Sequence, residues 1–386
     1  MIEEPMHPRR DEPVLIVGAG PAGLATAAML QRAGIASRIL EAGPGVGTSW
    51  AHYYDRLRLH TGRRISGLPG YPLPRGFPVF VPRAALLQYF RAYARRFNLK
   101  IMPNQRVLRA ERIGDVWRVT TADTVWEAPV LVAASGIAAN PYTPPLPGLA
   151  DYRGRVLHAV DYHTADPFAG QDVLVVGMGN SGTEIAMDLA RTAHQVTLAV
   201  RSPINIVPRK MFGLPTSYVA IGLSQLPAPL VRRIRAGLGK RWTGQLHALG
   251  LEAGAPDAFP VIGLEILDTI RAGRVRVASG IDRFTPDAVR FTDGTERRFD
   301  AVVLATGFRP ALDYLAGYVT PADEKQAHIS VRAAPDVPNL YFVGLYYDGL
   351  RGTLYLINGQ AREVARRVKR SGAARVSDSW VQATHS

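Results

Sequence analysis

The stretch Gly18-Ala19-Gly20-Pro21-Ala22-Gly23 decides the fold of the N-terminal part of this chain, because it links a buried strand to a helix. The apolar run Val14–Val17 precedes it, and a helix rich in small residues is predicted from about Pro21 to Ala33. A second strand is predicted from Ser37 to Ala42, with Glu41 near its end. In such a βαβ unit the glycines allow a tight turn, and a pyrophosphate rests on the helix N-terminus. The pattern predicts a dinucleotide site.

A second glycine-rich loop, Gly177-Met178-Gly179-Asn180-Ser181-Gly182, repeats this order. Val173–Val176 is predicted to be the strand before it and Ser181–Arg191 the helix after it. Gln195–Val200 is the next predicted strand, and it leads into Arg201 and Ser202. Two such loops, each with its strand, helix and downstream polar residue, indicate two nucleotide sites rather than chance glycine spacing.

The residues after the second strand of each unit have opposite charges, and this predicts two different nucleotides. A carboxylate such as Glu41 accepts hydrogen bonds from a ribose diol and repels a 2′-phosphate, which indicates FAD or NAD. The guanidinium of Arg201 favours a 2′-phosphate, which indicates NADP. A chain that holds a flavin and NADPH is most simply a flavin oxidoreductase.

The order of the elements predicts an α/β fold of two doubly wound, Rossmann-like dinucleotide-binding domains, with the NADP domain inserted in the FAD domain. Residues 11–165 are predicted to form the first part of the FAD domain, 166–299 the NADP domain with a helical cap, and 300–386 the second part of the FAD domain. Four further elements are expected in the FAD domain: the strands Val130–Gly136, Ala301–Gly307 and Leu340–Gly344 and a final helix from about Ile357 to Lys369.

The amino-acid composition excludes several classes of function. With 386 residues, of which 47% are hydrophobic, the chain has room for two or three domains with large cores. It contains no cysteine, so by itself it cannot perform the chemistry of flavin disulfide reductases, which need a redox-active cysteine pair. No apolar run is long enough for a transmembrane helix, and the polar stretch Met1–Glu12 lacks the apolar core of a signal peptide, so a cytoplasmic protein is expected.

The net charge of +14 raises the question of nucleic-acid or membrane binding. The arginines are scattered, however, and no nucleic-acid-binding motif is present, so no nucleic-acid partner is expected. A basic surface also attracts polyanions such as NADPH and acidic substrates.

Two segments resemble those of a known family, the class B flavin monooxygenases. The segment from Tyr152 to Tyr162 (YRGRVLHAVDY) is similar to the family's FxGxxxHxxxY/F motif, with Tyr152 in place of the usual Phe. It lies just before the NADP loop, as in the family. Its ending in Tyr162 favours the N- and S-oxygenating and YUCCA-like groups over Baeyer–Villiger enzymes. Ala305–Pro310 (ATGFRP) resembles the family's ATGF/Y turn.

Further matches favour the YUCCA-like branch. Arg56-Leu57-Arg58-Leu59-His60, followed by Leu68-Pro69, is similar to the RLxLH…LP stretch of that branch, whereas animal-type members have Asn where His60 stands. Trp50 matches a tryptophan of the same stretch, and Gly349–Thr353 (GLRGT) resembles a C-terminal segment near the flavin. The resemblance covers nearly the whole chain.

The resemblance implies an NADPH- and O2-dependent FAD monooxygenase. NADPH reduces FAD, oxygen adds to give a C4a-(hydro)peroxyflavin, and one oxygen atom passes to a small organic substrate. For this branch the substrate is a 2-oxo acid such as indole-3-pyruvate, which is decarboxylated. The cofactor supplies the reactivity, so no catalytic triad, carboxylate pair or metal site is needed, and none is found in the sequence.

His60 is the one candidate catalytic residue, as a hydrogen-bond donor beside the flavin, and the alternative for it is a structural role in loop packing. His158 is expected to be a structural contact between the domains. Arg201, Asn180 and Ser181 are expected both to bind NADP⁺ and to keep it over the flavin. The full set of expected cofactor-binding residues is Gly18, Gly20, Pro21, Ala22, Gly23, Glu41, Trp50, Arg58, His60, Val107, Gly136, Gly177, Gly179, Asn180, Ser181, Gly182, Arg201, Ser202, Thr306, Gly307, Gly344, Gly352 and Thr353.

Several alternatives stay open at this point. The enzyme alternatives are N- or S-oxygenation of a small heteroatom compound, or a flavin reductase that passes electrons to a quinone or protein partner. A non-catalytic redox sensor is a third class. The segment from Ser202 to Phe259 is either a helical cap over the substrate channel or a helix that lies on a membrane surface. The oligomeric state is not encoded in any motif, and a homodimer is considered.

Overall fold

The structure, a computed structural model, describes residues 13–255, 258–319, 337–345 and 349–374. Its helices are α1 (Pro21–Arg32), α2 (Thr48–Ala51), α3 (Arg83–Arg96), α4 (Asn180–Leu189), α5 (Thr216–Leu223), α6 (Ala228–His247), α7 (Glu265–Arg271) and α8 (Thr353–Ser371). Its strands are β1 (Val14–Val17), β2 (Arg38–Leu40), β3 (Ile101–Met102), β4 (Arg109–Ile113), β5 (Val116–Thr120), β6 (Val125–Ala128), β7 (Val130–Ala133), β8 (Asn140–Pro141), β9 (Arg155–His158), β10 (Asp172–Val176), β11 (Gln195–Ala199), β12 (Asn205–Val207), β13 (Lys210–Met211), β14 (Leu214–Pro215), β15 (Pro260–Ile262), β16 (Val275–Ala278), β17 (Ile281–Phe284), β18 (Val289–Phe291), β19 (Glu296–Arg297), β20 (Ala301–Leu304), β21 (Phe308–Arg309) and β22 (Leu340–Phe342).

The first nucleotide unit is built on a parallel sheet with the strand order β22-β7-β1-β2-β3. Side chains alternate across this sheet, as the pleat requires. On β1, Val14 and Ile16 pack into a core with helices α1, α3 and α8, while Leu15 and Val17 face the antiparallel sheet β4-β5-β6 with its buried Trp117. Both faces are therefore covered, which explains why β1 is continuously apolar.

The second unit repeats this design. Its parallel sheet has the order β16-β11-β10-β20-β9. Val173 and Val175 of β10 pack against helices α4 and α7, and Leu174 and Val176 face the antiparallel sheet β17-β18-β19. The predicted α/β fold with Rossmann-type units is confirmed. The structure adds that a small antiparallel sheet, and not a second layer of helices, covers the far face of each parallel sheet.

One strand lies in a different sheet from the one expected. The strand at Ala301 was expected to return to the first unit, but β20 pairs with β10 and β9 in the second sheet. The second sheet thus draws on strands on both sides of the expected 166–299 range, from Arg155 to Leu304. A short, fully buried apolar run indicates a central strand but does not identify its partners, which explains the difference. The chain re-enters the first sheet at β22.

The predicted elements agree with the observed ones to within a few residues. The helices after the two loops run over Pro21–Arg32 and Asn180–Leu189. The final helix differs most, because α8 begins at Thr353 rather than near Ile357. Its N-terminal flanking residue is Gly352, with a φ of +83°, a conformation that glycine adopts readily and that starts the helix one turn earlier.

The described residues of the segment 202–259 form the helices α5 and α6, preceded by the small hairpin β13-β14, and the role of this segment as a cap over the substrate channel stays a prediction. Helix α5 contacts the first unit through two hydrogen bonds. The Ser217 hydroxyl accepts the Gly62 N–H at 3.1 Å, and the Tyr218 hydroxyl accepts the Arg64 N–H at 3.0 Å. Among the described residues, no helix combines the length and apolar character needed to cross a membrane. The Met1–Glu12 stretch and the side chains of Lys240, Arg241 and Trp242 lie outside what the structure describes.

Candidate active site

The glycines of the first loop serve two different purposes. A Cβ on Gly23 would lie 1.9 Å from the carbonyl oxygen of Gly18, and a Cβ on Gly18, whose φ is +105°, would lie 2.7 Å from the carbonyl oxygen of Ala134. The fold itself needs glycine at these two positions. Gly20 has an extended backbone, and nothing lies within 4 Å of a Cβ built there. The open space at Gly20 fits a pyrophosphate that meets the backbone at the start of α1.

The second loop has the same geometry. A Cβ on Gly182 would lie 1.9 Å from the carbonyl oxygen of Gly177, whereas the space around Gly179 is open. Neither α1 nor α4 has a side-chain hydrogen bond capping its N-terminus. The first-turn N–H groups of both helices are thus suited to bind a phosphate.

The two predicted nucleotide selectors occupy different environments. Glu41 is buried at the end of β2, where its Oε2 accepts the Ala19 N–H at 2.6 Å and its Oε1 accepts the Gly43 N–H at 2.8 Å. These bonds hold the carboxylate beside the first loop and leave lone pairs on both oxygens for a ribose diol. Arg201 and Ser202 follow β11 and are exposed, as a site for the 2′-phosphate of a large cofactor requires.

Asn180 and Ser181 make contacts that the sequence did not predict. The Asn180 amide accepts the Ile262 N–H at 2.8 Å and donates to the Pro260 carbonyl at 3.2 Å, so it fixes strand β15 to the start of α4. Burial and Glu184 raise the pKa of Tyr54 of the first unit, and the nearby Ser181 hydroxyl partly opposes this shift. Asn180 therefore organises the loop, and the contact of Asn180 and Ser181 with NADP⁺ stays a prediction.

The segment that resembles the FxGxxxHxxxY/F motif is held by internal contacts. The Tyr152 hydroxyl donates to the Phe299 carbonyl at 2.8 Å, and a Cβ on Gly154 would lie 2.5 Å from the Tyr152 ring. At the other end of the segment, the fully buried Tyr162 donates to the Asp188 carboxylate on α4 at 2.9 Å. The segment thus fixes the edge strand β9 to the body of the second unit.

His158 makes structural contacts, but they lie with Val160 and with the turn that follows its neighbouring strand β20, and not between the two units as expected. Its Nδ1 accepts the Val160 N–H at 3.2 Å, so its Nε2 carries the proton and donates to the Gly307 carbonyl at 3.1 Å. Burial lowers the pKa of His158, and the hydrogen bond to Gly307 and the charge of Asp161 only partly oppose this. The neutral ring therefore helps to hold the Thr306–Gly307 turn, which is also bonded from the Thr306 hydroxyl to the Tyr142 carbonyl.

His60 lies at the junction of the two units, in contact with the second unit. Its Nε2 is 2.8 Å from Oε1 of Glu184, a residue of α4. The other carboxylate oxygen, Oε2, accepts the Tyr54 hydroxyl at 2.7 Å, and Oε1 also accepts Nη2 of Arg209 at 3.1 Å. The side chains of His60 and Glu184 are only 16% and 12% exposed.

Burial acts to raise the pKa of Glu184, but the hydrogen bond and charge of His60, the hydroxyl of Tyr54 and the charge of Arg209 together lower it below its ordinary value. Glu184 is therefore an ionised carboxylate inside the junction. Neither Glu184 nor Tyr54 is among the site residues predicted from the sequence. The available signal was weak: Glu184 is a carboxylate in the second turn of the helix that follows the second loop.

The C-terminal residues of the predicted site pack closely against α1 and the loop that contains His60. A Cβ on Gly352 would lie 2.3 Å from Cγ2 of Thr61, next to His60, and a Cβ on Gly344 would lie 2.7 Å from the Cβ of Ala22 on α1. Thr353 begins α8 directly after Gly352. These segments pass so close to α1 and the His60 loop that only glycine fits.

The remaining predicted residues are more dispersed. Trp50 packs edge-on against two aromatic rings, Val107 packs against the core of the first unit, and Gly136 follows β7 with a φ of +88°. Arg58 is exposed and lines a pocket of about 210 Å³ beside the junction. This pocket is lined by Tyr54, Arg56, Arg58, Glu184, Met187, Asp188 and Arg209. Within the described ranges, no cluster of acidic and histidine side chains is arranged to hold a metal ion.

Comparison with known proteins agrees with this arrangement. A family model described as pyridine nucleotide-disulphide oxidoreductase matches residues 15–209. The chain is 34% identical over 364 residues to the probable indole-3-pyruvate monooxygenase YUCCA4 of Arabidopsis thaliana, covering 88% of this chain and 87% of that protein. It is 38% identical over 315 residues to indole-3-pyruvate monooxygenase YUCCA6 of the same plant, covering 76% and 75%.

A solved structure, the flavin-containing monooxygenase from Stenotrophomonas maltophilia, has a TM-score of 0.72 and 28% sequence identity, covering 93% of this chain and 98% of that one. The open glycine positions and the two opposite selectors fit the FAD and NADPH that such enzymes use. The chain therefore belongs to the class B flavin-dependent monooxygenases, as an NADPH-dependent FAD enzyme of the branch that contains the YUCCA indole-3-pyruvate monooxygenases.

Proposed function

We propose that the protein transfers one oxygen atom from a C4a-(hydro)peroxyflavin to a small 2-oxo acid such as indole-3-pyruvate, with loss of CO2. The observation that carries this proposal is the match, over 88% and 92% of this chain, to two proteins named as probable or established indole-3-pyruvate monooxygenases, together with the two opposite selectors Glu41 and Arg201.

The proposed reaction balances with the cofactors of the family. The 2-oxo acid, O2, NADPH and one proton give the shortened carboxylate, CO2, water and NADP⁺. NADPH supplies two electrons, one oxygen atom enters the new carboxylate and the other leaves as water. The bond between the keto carbon and the original carboxylate breaks, and that carboxylate leaves as CO2.

The residues of this chain bind and orient the reactants. FAD, when bound, supplies the redox and oxygen chemistry. Gly18, Gly20 and Gly23 with Glu41 would hold it on the first unit, while the second loop and Arg201 would hold NADPH on the second. His60 lies where the units meet, and we assign to it a hydrogen bond on the flavin side of the site.

The lining of the pocket beside the junction favours the binding of an anionic substrate. Three arginines line it, of which Arg56 pairs with Asp188 at 3.2 Å and Arg209 pairs with Glu184. Arg58 makes no ion pair with any described residue, and its guanidinium is available to a carboxylate.

The test is turnover of indole-3-pyruvate under ¹⁸O2 with NADPH. The proposal requires one ¹⁸O atom per molecule of acid product and one CO2 per NADPH. If a thioether or amine is oxygenated instead, the enzyme belongs to the N- or S-oxygenating type. If NADPH oxidation requires a quinone and no oxygen enters any product, it is a reductase. Cytoplasmic location and homodimer formation stay predictions, which cell fractionation and sedimentation velocity would check.

A further inference from the structure

The buried carboxylate of Glu184 connects three parts of the chain that no sequence motif links. Glu184 belongs to the second unit, His60 and Tyr54 to the first, and Arg209 to the cap between β12 and β13. Its oxygens accept three hydrogen bonds, from His60, Arg209 and Tyr54, at 2.8, 3.1 and 2.7 Å respectively. A buried carboxylate is retained only when donors of this kind compensate its lost hydration.

The bond to Glu184 decides which nitrogen of His60 is free. Nε2 is committed to the carboxylate, so Nδ1 is the ring nitrogen without a hydrogen-bond partner among the residues that the structure describes. In histidine, the bond made by one nitrogen fixes the ring orientation and the role of the other. The orientation of the His60 ring is therefore set from the second unit.

The same cluster reaches the predicted NADP loop. Tyr54 donates to Glu184, and the Ser181 hydroxyl of the second loop lies close enough to oppose in part the raised pKa of Tyr54, which burial and Glu184 cause. The cluster is therefore anchored to this loop, because Glu184, which bonds both Tyr54 and His60, lies on the helix α4 that begins at Asn180.

We infer that Glu184 is a positioning residue for His60: it holds Nε2 so that Nδ1 is presented to the bound reactants, and it ties that orientation to the NADP loop. The part of this inference that concerns oxygen transfer rests on the proposed function. The hydrogen bond by which Glu184 orients the His60 ring does not depend on the proposed function, and it can be measured on the protein without cofactors.

Two substitutions at Glu184 test separately the loss of its negative charge and the loss of its hydrogen-bond acceptor. Glu184→Gln keeps an oxygen that accepts the His60 Nε2–H, whereas Glu184→Leu keeps similar bulk without an acceptor. Glu265→Gln is the matched control, because the exposed Glu265 lies 3.9 Å from the same Arg209 but does not touch His60. Tyr54→Phe removes one donor to Glu184 and is a second, milder variant if Glu184→Leu folds poorly.

The first measurement is ¹⁵N NMR of the imidazole rings in the cofactor-free protein, with the His60 signal assigned by its loss in His60→Ala. The wild type, Glu184→Gln and Glu265→Gln should show a protected Nε2–H, and Glu184→Leu should lose it. Tyr54→Phe should speed exchange of that proton. An unchanged His60 signal in Glu184→Leu, or in Tyr54→Phe where the former does not fold, would overturn the inference.

The second measurement is hydrogen peroxide released per NADPH in the FAD-loaded enzyme. Glu184→Leu should raise it toward the level of His60→Ala, about 10-fold for the loss of one hydrogen bond to a charged group. The double variant that combines Glu184→Leu with His60→Ala should release no more hydrogen peroxide per NADPH than His60→Ala alone. If the effects of the two substitutions on peroxide release add, Glu184 does not act through His60. Failure of the wild type to oxygenate any substrate would instead refute the proposed function, and the NMR result would still decide the inference.

Discussion

Gly23 approaches the carbonyl oxygen of Gly18 so closely that a Cβ on Gly23 would lie 1.9 Å from it, while a Cβ on Gly20, in the same loop, would meet nothing within 4 Å. The protein itself therefore needs the glycine at position 23. At position 20 a Cβ would contact none of the described residues, which leaves the space open for a bound pyrophosphate. The distinction repeats at Gly182 and Gly179 in the second loop.

This contrast predicts different outcomes for two alanine substitutions. Gly20→Ala should fold normally but lose FAD, because its methyl group would occupy the space of the pyrophosphate. Gly23→Ala should be strongly destabilised, with or without FAD. Circular dichroism, the melting temperature and the ratio of flavin to protein check both. A Gly20→Ala protein that retains stoichiometric FAD would mean that the first loop does not bind the cofactor.

Arg201→Ala should weaken NADPH binding far more than NADH binding. Losing a charge-assisted bond to the 2′-phosphate costs about 1.5–3 kcal/mol, or roughly 10- to 150-fold in affinity. The dependence of the flavin-reduction rate on NADPH and NADH concentration measures both. Arg276→Ala, an exposed arginine on the neighbouring β16, is the control. Equal losses for the two nucleotides would remove Arg201 from the phosphate site and make Ser202 the next residue to test.

His158 should make the protein less stable in mild acid. Burial lowers its pKa in the folded state, so the unfolded chain, with a pKa near 6.5, binds more protons below that pH. Stability should therefore fall as the pH drops through about 6.5 and level off below the folded-state pKa. His158→Asn lacks this proton linkage, so the gap between the melting temperatures of wild type and variant should shrink or reverse from pH 8 to pH 5. A gap that does not vary with pH would contradict the neutral, hydrogen-bonded state of His158.

Tyr152 departs from the phenylalanine usual in the family motif, and its hydroxyl bonds the Phe299 carbonyl. Tyr152→Phe should reduce the free energy of unfolding by about 1 kcal/mol, the net value of one such hydrogen bond. FAD content and the rate of flavin reduction should not change, since the contact lies within the second unit. Urea unfolding curves measure the first effect, and a loss of flavin would show that the segment does more than hold β9.

The nucleotide loops could be predicted from the sequence because their constraints are local. The order of strand, glycine turn and helix fixed Gly18 and Gly177 in their roles, and the structure has these elements within two residues of the predicted bounds at each loop. Assigning the strand at Ala301 to a sheet was not possible in this way, because its partners Val173 and Arg155 are set by distant pairing. Glu184 was missed for the same reason, since its importance comes from His60, Tyr54 and Arg209, which are far away in the chain.

The central claim, that this enzyme uses oxygen to transfer an atom to its substrate, is tested most directly by rapid mixing. The NADPH-reduced enzyme is mixed with O2 without substrate, and the flavin spectrum is followed. We expect a long-lived absorption band distinct from both oxidised and reduced flavin, which decays faster in His60→Ala while flavin reduction by NADPH is nearly unchanged. Direct return of the wild-type flavin to its oxidised spectrum, with no intermediate band, would instead identify an oxidase or a reductase and rule out the monooxygenase reaction.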